Sequence, residues 1–302
     1  KNLPRPYFLA DQPDSTLAIL RAPTDTAQPM GDWIRDLSYA IGVMIDNLLD
    51  RGVDVEVMAK IDFTYMNVTH HARAPRAVYR NFEENPAAFV DIVKLTYVDD
   101  TTAAARERKA DGTDPDMTKP TDSSNPAAPY DDRAFRILHQ WPGLPLYDSE
   151  GVAVATDLDT WVDEALGLLA DADRARPAHR VVGQALSSRA TDADGTWPCE
   201  AVRDVIERLA DEDFDRGFSI GRYNARGATT RAARAGGQQE RALAHDYKQW
   251  ADRVRTRWPR TAALLDALRD QPTKAAANAV AEALGLPKRD VYQRTLQLKA
   301  NG

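Results

Sequence analysis

Val53-Asp-Val-Glu-Val-Met-Ala-Lys-Ile-Asp-Phe-Thr-Tyr-Met-Asn-Val68 is the stretch whose reading decides the fold class. At a period of two, Val53, Val55 and Val57, then Ile61, Phe63 and Tyr65, alternate as a strand would. At the helical period, Val57, Ile61, Tyr65 and Val68 share one face. No second strand pattern lies nearby to pair with it, and an unpaired strand is not stable in water. The stretch therefore reads as a helix, and the chain as all-α.

The same period extends in both directions. Upstream, Trp33, Ile34, Leu37, Ile41, Met44, Ile45, Leu48 and Leu49 recur at three- and four-residue spacing, with Asp32 placed to cap a helix and Gly52 just past its end. Residues 1–29 are rich in Pro, Asp and Thr and read as an extended lead-in. Downstream, Pro75 and Pro86 stand where a first helical turn tolerates proline, and Phe89, Ile92, Val93 and Tyr97 continue from the second. Residues 30–98 thus form a helical layer. In residues 99–132, Asp99, Asp100, Asp111, Asp114, Asp116, Asp122, Asp131 and Asp132 alternate with Thr, Pro, Ser and Ala, which predicts an acidic linker or long loop.

Helical patterning resumes over residues 133–271. Leu158, Trp161, Val162, Ala165, Leu168 and Leu169 share a face, and Pro177, Pro198 and Pro259 open further helices. Gln238–Arg257 is a long amphipathic run with Leu243, Tyr247, Trp250 and Val254 at helical spacing. No strong strand signal occurs, and a succession of helical hairpins suits an irregular, repeat-like stack without a fixed period.

Composition narrows the class. A hydrophobic fraction of 43% in 302 residues supports at least one packed core. The single cysteine, Cys199, precludes an intramolecular disulfide and fits a reducing cytoplasm. No apolar run approaches the roughly 20 residues that span a bilayer. Richness in Ala, Arg and Asp suggests a GC-rich bacterial genome.

Charge is unevenly spread. Residues 216–302 hold 17 Lys and Arg against 7 Asp and Glu, while the remainder holds 22 against 39. A basic end on an acidic body calls for an anionic partner, either nucleic acid or the chain's own acidic face. The densest part is Gly217-Phe-Ser-Ile-Gly221-Arg-Tyr-Asn-Ala-Arg-Gly227, followed by Arg231, Arg234 and Gly236-Gly237. Arg222, Arg226, Arg231 and Arg234 beside a glycine-rich loop can hold phosphate, and Tyr223 can stack on a base. The acidic body offers many partners, which favours pairing of these arginines with acidic helices of the same chain. The phosphate-loop pattern is not met, because Gln238 follows Gly237. Tyr223, Tyr247, Trp250 and Trp258 are the aromatic candidates for anchoring a partner protein.

Other constellations carry little. His70 and His71 are adjacent and cannot chelate as an i, i+4 pair; His139, His179 and His245 are isolated. Acid pairs such as Asp171/Asp173 and Asp211-Glu212-Asp213 read as solvated faces, and Ser187-Ser188 fits no nucleophile elbow. No catalytic residue, metal site or cofactor is implied.

Residues 272–302 form a separate pattern, two short helices around Gly285-Leu286-Pro287. Ala276, Val280, Ala281 and Leu284 would face Val291, Leu296 and Leu298, a helix-turn-helix-like hairpin. Lys288, Arg289, Arg294 and Lys299 give its second helix a basic face, which suits either nucleic acid or solvent. Through Lys274-Ala-Ala, the Ala279–Leu284 run, Gly285-Leu-Pro-Lys-Arg289 and Val291-Tyr-Gln-Arg294, residues from about 263 onward resemble the C-terminal segment of bacterial 16S rRNA (cytidine-2′-O)-methyltransferases. The resemblance implies a small helical appendage that assists contact with ribosomal RNA. The family's catalytic domain has no counterpart in these residues, so no methyltransferase activity is implied.

Residues of about 57–268 resemble C-terminal regions of long helical bacterial proteins without an established activity. The resemblance runs through Asn85-Pro-x-x-Phe89, Trp197-Pro-Cys-Glu200, Gly221-x-x-Asn224-x-Arg-Gly227, Gly236-Gly-x-Gln-Glu-Arg241, Tyr247-x-x-Trp250-Ala and Pro259-Arg-Thr-Ala262. It implies a helical fold. The expectation is a non-enzymatic cytoplasmic interaction or scaffold protein, or the C-terminal portion of a larger one, that binds a protein or the rest of its parent chain. The alternative is nucleic-acid binding, RNA more than DNA.

Overall fold

The computed structural model describes residues 13–26, 38–69, 73–107, 128–147, 150–154, 157–225 and 238–270, and among these there are helices and two isolated bridges but no strand. In chain order the helices are α1 (Pro13–Thr26), α2 (Ser38–Asp50), α3 (Val55–Tyr65), α4 (Arg76–Glu84), α5 (Pro86–Thr96), α6 (Asp100–Glu107), α7 (Ala128–Gln140), α8 (Leu158–Asp171), α9 (Ala175–Ala185), α10 (Glu200–Leu209), α11 (Glu212–Asn224) and α12 (Gln238–Val254). A further helix, α13, covers residues 259–270. The all-α reading holds.

The deciding stretch is α3. Asp54 caps it, its carboxylate accepting the amide of Val57 at 2.9 Å. Met58, Ile61 and Tyr65 are its buried face and join Leu20, Ile41, Ile45, Leu48, Leu49 and Ala77 in one apolar cluster. Asp62 is buried on that same face. It accepts the amide of Ala77 at 3.1 Å in the first turn of α4, and Arg73 bridges it to Asp46. Burial pushes the Asp62 carboxyl up, and the Arg73 guanidinium pulls it back down.

Two sequence expectations change here. The lead-in is not extended throughout, because residues 13–26 form α1. Pro13 pre-sets its first turn, Asp14 complements the helix dipole, and Thr16 and Leu20 are buried at helical spacing. The expected linker begins instead as α6. Its N-terminus is held by Asp173, whose backbone carbonyl accepts the amide of Asp100 at 2.8 Å and whose carboxylate accepts that of Thr101 at 3.1 Å. Residues 108–127 of that stretch lie outside the described residues.

The chain divides into two units, Lys1–Trp141 with Thr160–Val181, and Pro142–Asp159 with Val182–Gly302. The first contains the cluster around α3 and a second knot of Phe82, Phe89, Trp141 and Trp161. Their ring centroids lie 5.0 Å apart for Phe82–Trp141 and 5.3 Å for Phe89–Trp161. Trp161 donates its indole N–H to the carbonyl of Phe82 at 2.8 Å, which meets its one polar need in the core.

The second unit is built around Trp197. Its indole N–H donates to the carbonyl of Ser188 at 2.8 Å, and its ring packs near Phe218, Tyr247 and Trp250. Gly183 lets α9 meet α11 closely, since a Cβ there would overlap the carbonyl oxygen of Phe214.

Candidate interaction site

Sequence reading placed its candidates on residues 216–260 and on the tail. Arg226, Arg231 and Arg234, and Lys288, Arg289 and Arg294, lie outside the described residues. The others can be placed, and most are engaged within the second unit.

Arg222 lies on α11 with its guanidinium 4.4 Å from the centre of the Trp197 ring. Its Nε donates to the Tyr247 hydroxyl at 3.2 Å. Tyr247 is fully buried, and Trp250 turns its indole N–H to the carbonyl of Gly195 at 3.0 Å. Trp258 is 9% exposed, with Arg203 and Arg257 over its ring at 4.1 and 4.2 Å. The expected exposure of Tyr247 and Trp258 as partner anchors is therefore corrected. Tyr247, Ala251 and Val254 form the buried stripe of α12, and the helical spacing that singled out Tyr247 and Val254 is the signature of a core-facing side. Tyr223 stands apart, 65% exposed beside the exposed Ile220.

The glycine-punctuated block is not a loop over residues 217–224, because these belong to α11. Gly221 serves close packing, since a Cβ there would meet the carbonyl oxygen of Gln184 at 2.8 Å. Several described arginines of this region have acidic partners nearby. Arg216 pairs with Asp213 at 3.2 Å, Arg255 with Asp266 at 3.0 Å, Arg257 with Glu200 at 2.7 Å and Arg260 with Asp215 at 2.7 Å. Burial pushes the Asp215 carboxyl up against the pull of Arg260.

What sequence reading missed is the acidic face of α10, which takes Arg257 and the start of α13. Glu200, Asp204 and Glu207 fall at i, i+4 and i+7, opposite the buried Val202, Val205 and Ile206. Glu200 takes Arg257, and Asp204 accepts the indole N–H of Trp258 at 2.7 Å. Glu207 accepts the amides of Arg260 at 3.2 Å and Thr261 at 2.7 Å, together with the Thr261 hydroxyl at 3.1 Å. Buried Arg203 adds an ion pair to Asp192 at 2.8 Å. The acidic repeat was visible in the sequence, but its partner lies more than 50 residues away.

Other chemistry is sparse among the described residues. No group of three or more His, Cys, Asp or Glu residues is placed to hold a metal ion. Cys199 is buried, and burial pushes its thiol up, away from the reactive thiolate. No helix among the described residues is long and apolar enough to cross a membrane.

Comparison with known proteins adds one match. The family model described as the RsmI C-terminal HTH domain matches residues 261–299. This bears out the resemblance read from the tail, with its start two residues earlier. No curated protein and no solved structure matches the chain. The matched segment begins inside α13, where Thr261, Ala262, Leu265 and Leu268 are buried, and its remainder lies outside the described residues.

Proposed function

We propose that this is a helical interaction protein whose C-terminal helix-turn-helix module binds nucleic acid, RNA in preference to DNA, without a catalytic step of its own. The observation that carries this reading is the match over residues 261–299, which starts within a helix of the second unit. The choice of RNA follows from the likeness of that segment to the tail of ribosomal RNA methyltransferases. Lys288, Arg289 and Arg294 supply cations for phosphate contact. The described arginines of residues 216–260 contribute less, since Arg222, Arg257 and Arg260 are already held by groups of the second unit.

The test is a titration of labelled single-stranded RNA at two salt concentrations. Each neutralised phosphate contributes a slope of about −0.7 in log K against log salt. Affinity that falls with salt supports the reading, and no measurable binding at low salt removes it.

A second reading rests on Tyr223 and Ile220, an exposed aromatic and aliphatic pair three residues apart on α11. Such a pair suits a protein partner or the remainder of a longer parent chain. A photo-crosslinking residue at position 223 that gives no intermolecular adduct in the native host would remove it.

A further inference from the structure

The helix that opens the matched module does not carry its own cap. The first amides of a helix have no partner within it, and most helices satisfy one with a Ser, Thr, Asp or Asn side chain just before the first turn. Here Trp258 stands at that place and has no acceptor oxygen, and Pro259 brings no N–H. The next two amides, of Arg260 and Thr261, are both taken by Glu207 of α10. The carboxylate also complements the positive end of the α13 dipole.

The capping contact is one of a series. Glu200, Asp204 and Glu207 hold Arg257, Trp258, and Arg260 with Thr261 in register, and Arg203 lies over the Trp258 ring. One face of α10 thus fixes the junction between α12 and α13. The module begins at Thr261, the residue that makes two of these hydrogen bonds.

We propose that Glu207 is the positioning residue for the helix that opens the matched module, so that the folding of α13 and the module's binding of nucleic acid both depend on a cap supplied by α10. The binding half rests on the function proposed above; the folding half is read without ligand.

The test is amide hydrogen exchange on the full chain, for the parent protein, Glu207→Ala and Glu207→Gln, with RNA titrations alongside. Loss of a cap of ordinary strength corresponds to a change of about tenfold. Glu207→Ala is expected to speed exchange over residues 260–270 by about that factor, with residues 76–96 unchanged, and to weaken RNA binding similarly. Glu207→Gln keeps an acceptor oxygen for Thr261 and is expected to restore both to within about threefold. Unchanged exchange over residues 260–270 in Glu207→Ala would overturn the proposal. So would faster exchange that extends equally to residues 76–96, or a Gln variant no better than the Ala variant. If the parent protein binds no RNA while the exchange pattern appears, the nucleic-acid reading falls and the dependence on Glu207 stands.

Discussion

Glu207 Oε1 accepts two hydrogen bonds from Thr261, one from the backbone amide at 2.7 Å and one from the side-chain hydroxyl at 3.1 Å. Thr261 is fully buried, so both donors depend on this one carboxylate rather than on water. Replacing Thr261 by Val keeps the shape and removes one donor. The expected cost is about 1 kcal/mol, read as a lower urea midpoint at unchanged slope.

A larger effect is expected at Asp62. Its side chain is fully buried, paired with Arg73 and bonded to the amide of Ala77. Asp62→Ala leaves a largely buried guanidinium with only Asp46 and strips the first turn of α4 of an acceptor. Breaking such a pair costs about 3–5 kcal/mol, and the denaturation midpoint should fall accordingly.

Glu83 sets a pH dependence. Burial pushes its carboxyl up to about 7, with Glu84 adding to the effect and Arg80 opposing it. A carboxyl raised in the folded state contributes stability that is complete below its unfolded value near 4.5 and is lost as pH rises through about 7. Glu83→Gln removes that loss. Its melting temperature relative to the parent protein should rise between pH 5 and pH 8, and a difference independent of pH would contradict the account.

Neighbouring residues on α11 should behave oppositely. Arg222→Ala removes the cation over Trp197 and the bond to Tyr247, at a cost of about 1–2 kcal/mol. Tyr223→Ala removes an exposed ring and should stay within about 0.5 kcal/mol. Urea midpoints for the two variants check the contrast.

Helix existence was legible wherever the apolar period was long, as in α2, α3, α5, α8 and α12. The start of α1 was not, because Pro13, Asp14 and Thr16 in an Asp- and Thr-rich stretch read as turn residues until Leu20 is seen buried. The tail's family was legible because Gly285-Leu-Pro-Lys-Arg289 is a local pattern. The α10 face was not, because its partners Arg257, Trp258 and Thr261 lie about 54–57 residues further along the chain. For the same reason period alone could not separate Tyr247, a core residue, from Tyr223, an exposed one. Helical spacing says which residues share a face and leaves open what covers that face.

On the function proposed above, the helix-turn-helix module carries the contact with RNA. Titrating labelled single-stranded RNA against the full chain and against a Lys288→Glu, Arg289→Glu variant, each at two salt concentrations, tests it most directly. The variant is expected to bind more than tenfold more weakly, with a salt slope shallower by about 1.4, two phosphates' worth. Equal affinity and equal slope for the two proteins would contradict it.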